Sequence, residues 1–111
     1  MQLNIVEQDE IVKIEVQEER MDAHNSGDLK EQMLQLFDEG KYNLIINLSA
    51  VRFVDSSGLG ALVSGFKNAS AREGSLKLCC LQPQVRSMFE LTRLHRVFEI
   101  FATIEEAVDS F

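Results

Sequence analysis

Asn43-Leu44-Ile45-Ile46-Asn47-Leu48, followed by the turn Ser49-Ala50 and then Val51-Arg52-Phe53-Val54-Asp55-Ser56-Ser57-Gly58-Leu59-Gly60, is the stretch that decides the fold. Its first part is a short, nearly continuous apolar run, the pattern of a strand buried on both faces with helices packed above and below. Asp55 and the serines after it are favoured helix N-caps, because their oxygens accept from the free N–H groups of a first turn. Leu59, Leu62, Val63 and Phe66 then recur at i, i+3, i+4 and i+7, one stripe of a helix that Arg72-Glu73-Gly74-Ser75 ends.

Toward the N-terminus, Leu29, Met33, Leu36 and Phe37 recur at helical spacing within a helix expected from about Ala23 to Glu39. Asp22, Asn25, Ser26 and Asp28 all offer N-caps for it, and Gly40 fits its C-terminal stop. Further upstream, Leu3-Asn4-Ile5-Val6 and Ile11-Val12-Lys13-Ile14-Glu15-Val16 carry β-branched residues, with Val12, Ile14 and Val16 on one face. The polar break Glu7-Gln8-Asp9-Glu10 suits a hairpin between them. Charged alternates on the second strand leave one face toward water, as antiparallel sheets allow.

Toward the C-terminus, Leu76-Lys77-Leu78-Cys79-Cys80-Leu81 reads as the next strand. Gln82-Pro83 opens a helix with Pro in its first turn, where the missing N–H costs nothing, and Val85, Met88 and Phe89 form its stripe. A short strand near Phe98-Glu99-Ile100-Phe101 precedes a last helix from Thr103. Thr103-Ile104-Glu105-Glu106 is a capping box, and Ile104, Ala107, Val108 and Phe111 make the apolar face. The order β-β-α-β-α-β-α-β-α predicts one α/β domain over residues 1–111, a mixed sheet of about five strands with about four helices. No linker, internal repeat or low-complexity tract interrupts it.

Composition narrows the function. The 111 residues are 45% hydrophobic and 26% charged, ordinary values that exclude disordered, collagen-like and coiled-coil classes. Eleven basic against eighteen acidic side chains give a net charge of −7, and a phosphate backbone repels such a surface, so no nucleic-acid partner is expected. The longest apolar runs fall well short of the ~20 residues a membrane helix needs, so no membrane partner is expected either. Met1-Gln2-Leu3-Asn4 lacks the basic start and apolar run of a signal peptide, which places the chain in the cytoplasm. Cys79 and Cys80 are adjacent; neighbouring strand residues point to opposite faces, so they are not expected to be able to form an ordinary disulfide with each other. With His24 and His95 far away, no metal set forms, and buried structural thiols are the expected reading. Neither metal nor cofactor is expected.

Asp55-Ser56-Ser57-Gly58-Leu59-Gly60 sits where a strand gives way to a helix. Gly58 and Gly60 carry no side chain, so another backbone or a partner surface can approach. The helix N-terminus carries partial positive charge and tolerates an anion. A phosphate on Ser56 therefore stays in a favourable local field, and its added charge of about −1.5 to −2 acts on whatever docks there. The same residues also read as a simple cap and turn, and Asp22 as a plain cap.

Catalysis by Ser56 or Ser57 is not supported, so the chain reads as a non-enzyme. The Gly-x-Ser-x-Gly pattern of a nucleophile elbow is missing, neither histidine has a stated route to the serines, and no Gly-rich loop with Lys cradles a phosphate. Arg86, Arg93, His95 and Arg96 form a basic cluster that reads as solvated surface or, failing that, a docking patch.

The run Asn43–Gly60 resembles the core strand and Asp-Ser-Ser/Thr-Gly-Leu-Gly signature of the STAS family, specifically its free-standing bacterial anti-sigma factor antagonists. Leu81–Leu94 is similar to the family's penultimate helix and the turn after it, and Ile104-Glu105-Glu106-Ala107 to its final helix. The resemblance implies that Ser56 is phosphorylated by an anti-sigma factor that is also a serine kinase. On this pattern the unphosphorylated form binds the anti-sigma factor and releases the sigma factor, and a serine phosphatase of the PP2C type restores it. It also implies a partner-binding set of Asp22, Asp55, Ser56, Ser57, Gly58 and Leu59. A scaffold or accessory subunit of a transporter or signalling assembly is the alternative use of such a domain. Three positions depart from the family pattern: Glu19 fills a stretch where a Gly is usual before Asp22, Asn47 stands for Asp, and Arg93 for Gly.

Overall fold

The computed structural model describes residues 1–111. Strands β1 (Leu3–Gln8), β2 (Ile11–Val16), β4 (Asn43–Asn47), β6 (Ser75–Cys79) and β7 (Ile100–Phe101) form one five-stranded sheet in the order β1-β2-β4-β6-β7. β1 and β2 are the antiparallel hairpin; every other neighbour pair is parallel. Between these strands run α1 (Ser26–Asp38), α2 (Ser56–Ala71) and α3 (Pro83–Leu91), and α4 (Ile104–Asp109) follows β7. The mixed α/β sheet with four α-helices is the architecture expected from the alternation of strand and helix periods.

Period two sorts the strand residues onto two faces. Val12, Ile14, Leu44, Ile46, Leu76 and Leu78 join one large core with Leu29, Met33, Leu36 and Phe37 of α1, Leu59 and Leu62 of α2, and Val85 and Phe89 of α3. The alternate residues Ile11, Ile45 and Cys79 join a smaller cluster with Ala107 of α4. Three helices therefore cover one face and α4 the other. This is why β4, in the middle, reads as an unbroken apolar run. The N-terminal edge strand, by contrast, leaves Asn4 through Gln8 exposed.

Several boundaries move for identifiable reasons. α1 starts at Ser26 rather than Ala23, because Asp22–Asn25 closes a turn of its own, with Ser26 N–H donating to the Asp22 carbonyl at 2.9 Å. Gly40 stops that helix as expected, at φ +81°, a conformation that favours glycine. β6 ends at Cys79, because Cys80 turns into the left-handed region at φ +69°. The expected strand at Phe98 shortens to Ile100–Phe101, since Leu94–Arg96 forms a 3₁₀ turn and Phe98 packs into the core. Arg93, where the resemblance leads one to expect Gly, sits at φ +61°, a conformation that favours glycine. Asn47 keeps a turn role, its side-chain oxygen accepting from Ser49 N–H at 2.9 Å.

At the C-terminus half of the capping box forms: Thr103 Oγ1 accepts from Glu106 N–H at 3.1 Å. Phe111 does not belong to the apolar face of α4, which ends at Asp109. It is 42% exposed and lies over Lys77 Nζ at 4.2 Å. That buried lysine donates to the carbonyl and hydroxyl of Ser110 at 3.0 and 2.8 Å, pinning the chain end against the sheet.

Candidate functional site

A second, two-stranded sheet builds the site. β3 (Arg20–Met21) pairs in parallel with β5 (Phe53–Val54), Arg20 opposite Phe53 and Met21 opposite Val54. The Glu19 carbonyl accepts from Arg52 and Phe53 N–H at 2.7 and 3.1 Å, and the Met21 carbonyl accepts from Asp55 N–H at 3.1 Å. Asp22 and Asp55 each follow a paired residue, so the miniature sheet delivers them side by side. Neither strand is visible in the sequence pattern, because two residues carry no period.

Asp55 leaves β5 in an extended conformation and caps α2: its Oδ1 accepts from Gly58 N–H at 3.0 Å. The cap therefore belongs to Asp55 and not to either serine. Ser56 and Ser57 occupy the first turn, and both are exposed. The hydroxyl of Ser56 thus stands at the surface, in the positive field of a sixteen-residue helix, with the capping role already filled.

Gly58 and Leu59 face inward. A Cβ on Gly58 would stand 2.7 Å from the Met21 carbonyl oxygen and 2.8 Å from Val54 Cγ1, so α2 and the miniature sheet meet through this one missing side chain. Leu59 is buried in the main core. Its side chain anchors the first turn from beneath, so any part it plays toward a partner is through the position of that turn. Gly60 is open, and a Cβ there would meet nothing within 4 Å.

The Asp22 loop is held by its own polar contacts. Asp22 N–H donates to Asn25 Oδ1 at 2.9 Å, and Asn25 Nδ2 donates to the Arg20 carbonyl at 2.8 Å. Asn25 is the residue preceding α1, yet its side chain makes no capping bond; it closes this loop instead. The half-buried Asp22 carboxylate accepts from His24 N–H at 3.0 Å and lies 3.5 Å from Arg20 Nε. Arg20 in turn covers the ring of Phe53 at 4.3 Å, and Phe53 is 42% exposed. Sequence reasoning missed Met21, Asn25, Arg20 and Phe53 here, since each acts through a pairing that only the folded chain creates.

No group of three or more His, Cys, Asp or Glu side chains is placed to hold a metal ion. None of the surface clefts is lined by Ser56 or its neighbours. The arrangement presents a hydroxyl on a firm convex support, a form suited to being modified or docked upon. The basic cluster of Arg86, Arg93, His95 and Arg96 is exposed throughout. No helix is long and apolar enough to cross a membrane.

Known proteins share this fold. The sequence model of the STAS domain family matches residues 2–107. The anti-sigma-B factor antagonist of Bacillus subtilis is 34% identical over 88 residues, covering 79% of this chain and 80% of that protein. An anti-sigma factor antagonist of Mycobacterium paratuberculosis superposes with a TM-score of 0.87 at 22% identity, over 98% of this chain and 92% of that one. The Bacillus cell fate determinant SpoIIAA, solved in its phosphorylated form, superposes with a TM-score of 0.77 at 24% identity, over 98% of each chain. At these identities the structural likeness speaks for the fold.

Proposed function

The chain belongs to the STAS domain family, and from that premise we propose that it is an anti-sigma factor antagonist switched by phosphorylation of Ser56. In its unphosphorylated form it binds an anti-sigma factor that is also a serine kinase, and the sigma factor is released. Phosphorylation ends that binding, and a serine phosphatase of the PP2C type restores it. The setting is the cytoplasm.

One observation carries the reading: Ser56 is exposed in the first turn of α2 while Asp55, not a serine, caps the helix. A phosphate there keeps the cap intact and sits where a helix N-terminus favours an anion, so the fold survives the modification. The change falls on the partner. Adding about −1.5 to −2 charges to a surface already at −7 penalises any partner that meets Ser56 with an acidic or apolar patch. A mismatch of ~3 kcal/mol lowers affinity about 150-fold, enough for a switch with no refolding. The relative of 34% identity is named for antagonism of an anti-sigma factor, and SpoIIAA has a phosphorylated form, both in keeping with this mechanism.

The roles divide by position. Ser56 receives the phosphate, and Ser57, Asp55 and Asp22 form the surface around it. Gly58 and Leu59 hold that surface at its height from inside. The chain itself carries no activated nucleophile and acts as substrate and ligand, not as catalyst.

The test is binding before and after modification. The anti-sigma factor kinases of the host genome are purified, and each is titrated by calorimetry with unphosphorylated and Ser56-phosphorylated chain. One of them should bind the unphosphorylated form at least ~100-fold more tightly. Equal affinity for both forms across all of them would overturn the switch.

A further inference from the structure

The end of β6 brings two thiols into contact. Cys79 is the last strand residue and is fully buried, in the small cluster with Ile11, Ile45 and Ala107 beneath α4. Cys80 follows in the left-handed region at φ +69°, uncommon for a residue with a Cβ, and its N–H is held by the Phe101 carbonyl at 3.0 Å. In a continued strand these side chains would point to opposite faces. The left-handed turn cancels that alternation and carries the half-buried Cys80 thiol back onto the Cys79 thiol. Of the two thiols expected to be buried, Cys79 is and Cys80 is only half-buried.

We propose that Cys79 and Cys80 form a dithiol site for trivalent arsenicals and chemically similar thiophilic electrophiles. The ligand class follows from what surrounds the pair. No third His, Cys, Asp or Glu joins it, so the tetrahedral set of a zinc site cannot be completed, and soft sulfur donors select a soft centre. An arsenic atom that carries one organic group needs two sulfurs and nothing more. Burial, then hydrogen bonding with Cys80 that favours the protonated form, and then nearby negative charge push the Cys79 thiol well above the ordinary cysteine range, so it waits protonated.

With phenylarsonous acid the reaction balances without redox change. The sulfur of half-buried Cys80 bonds to arsenic, one As–O bond breaks, and the departing hydroxide takes the thiol proton as water. The Cys79 thiol, already in contact, closes the chelate in the same way and a second water leaves. Arsenic stays trivalent. Closure within the chain replaces a second bimolecular capture, and such linkage raises affinity by ~10²–10⁴-fold over a single thiol.

Phenylarsine oxide, which hydrates to that acid, is the probe, added to the intact chain and followed by native mass spectrometry, thiol titration and thermal melting. One phenylarsenic per chain is expected, with both thiols lost to titration. The adduct should resist excess glutathione, be reversed by 2,3-dimercaptopropanol, and raise the melting temperature, as a ligand of the folded state must. Cys80→Ser should bind at least ~100-fold more weakly while keeping the unliganded melting curve; Cys79→Ala repeats the test from the buried side. An adduct that survives in Cys80→Ser, no adduct on the wild-type chain, or a lowered melting temperature on binding would each overturn the site.

Discussion

Two helices of this domain, α2 and α3, each begin just beyond a parallel strand, α2 after β5 and α3 after β6, yet only the α2 start has the form of a candidate site. α3 opens at Gln82, which makes no capping bond, and Pro83 removes one of the N–H groups a ligand could use. The Gln82 side chain instead donates to the Ser49 carbonyl at 2.8 Å, tying the loop to the end of β4. α2 opens on a capping carboxylate, two exposed hydroxyls and a glycine pressed against a second small sheet. Both starts carry the same kind of partial charge. The difference teaches that the field of a helix end is only a background. What suits the α2 start to the proposed switch is a cap supplied by the residue before it, which leaves the Ser56 hydroxyl out of the capping role, and the packing of Gly58 against the small sheet.

The comparison can be broken most forcefully at Ser56. Ser56→Asp should weaken binding of the anti-sigma factor kinase by about 30-fold, ~2 kcal/mol, measured by calorimetry, because one fixed charge mimics part of a phosphate. Its melting curve should stay close to wild type, since the residue is exposed and bears no cap.

Next is the support. Gly58→Ala should destabilise the fold by about 1–3 kcal/mol in urea denaturation, because its Cβ would press on the Met21 carbonyl and Val54. Gly60→Ala, two residues further along the same helix and in open space, should be neutral or stabilise by up to ~1 kcal/mol. If both variants behaved alike, the close approach at Gly58 would not be what positions the turn.

The cap comes third. Asp55→Ala should cost ~1 kcal/mol by the same denaturation, with Asp55→Asn recovering most of it. Smallest is the other helix: Gln82→Ala loses one exposed side-chain bond, so it should cost under ~1 kcal/mol and leave phosphorylation of Ser56 unchanged.

Most of the large sheet was legible because its strands and helices are long enough to show a period. Leu44-Ile45-Ile46 had to be covered on both sides, and the structure divides those residues between two clusters. The Asp55 signature was legible for the same local reason, since cap chemistry is written in adjacent residues. What could not be read is pairing across distance. Arg20–Met21 and Phe53–Val54 are two-residue strands with no pattern of their own, and the turn of Asp22 over Asn25 looks like any cap. Leu59 lies on the apolar stripe of α2 that the sequence itself shows, and the structure turns it into the core. Cys79 and Cys80 escaped for another reason: strand alternation governs Cys79 and stops there, one residue before the pair is complete.

The central claim is tested most directly by intact-mass measurement after incubation with the anti-sigma factor kinase and ATP. The account predicts a single phosphate on the wild-type chain, mapped to Ser56, and none on a folded Ser56→Ala variant. Phosphate retained by that variant, or no phosphate on the wild-type chain with any such kinase of its host, would contradict it.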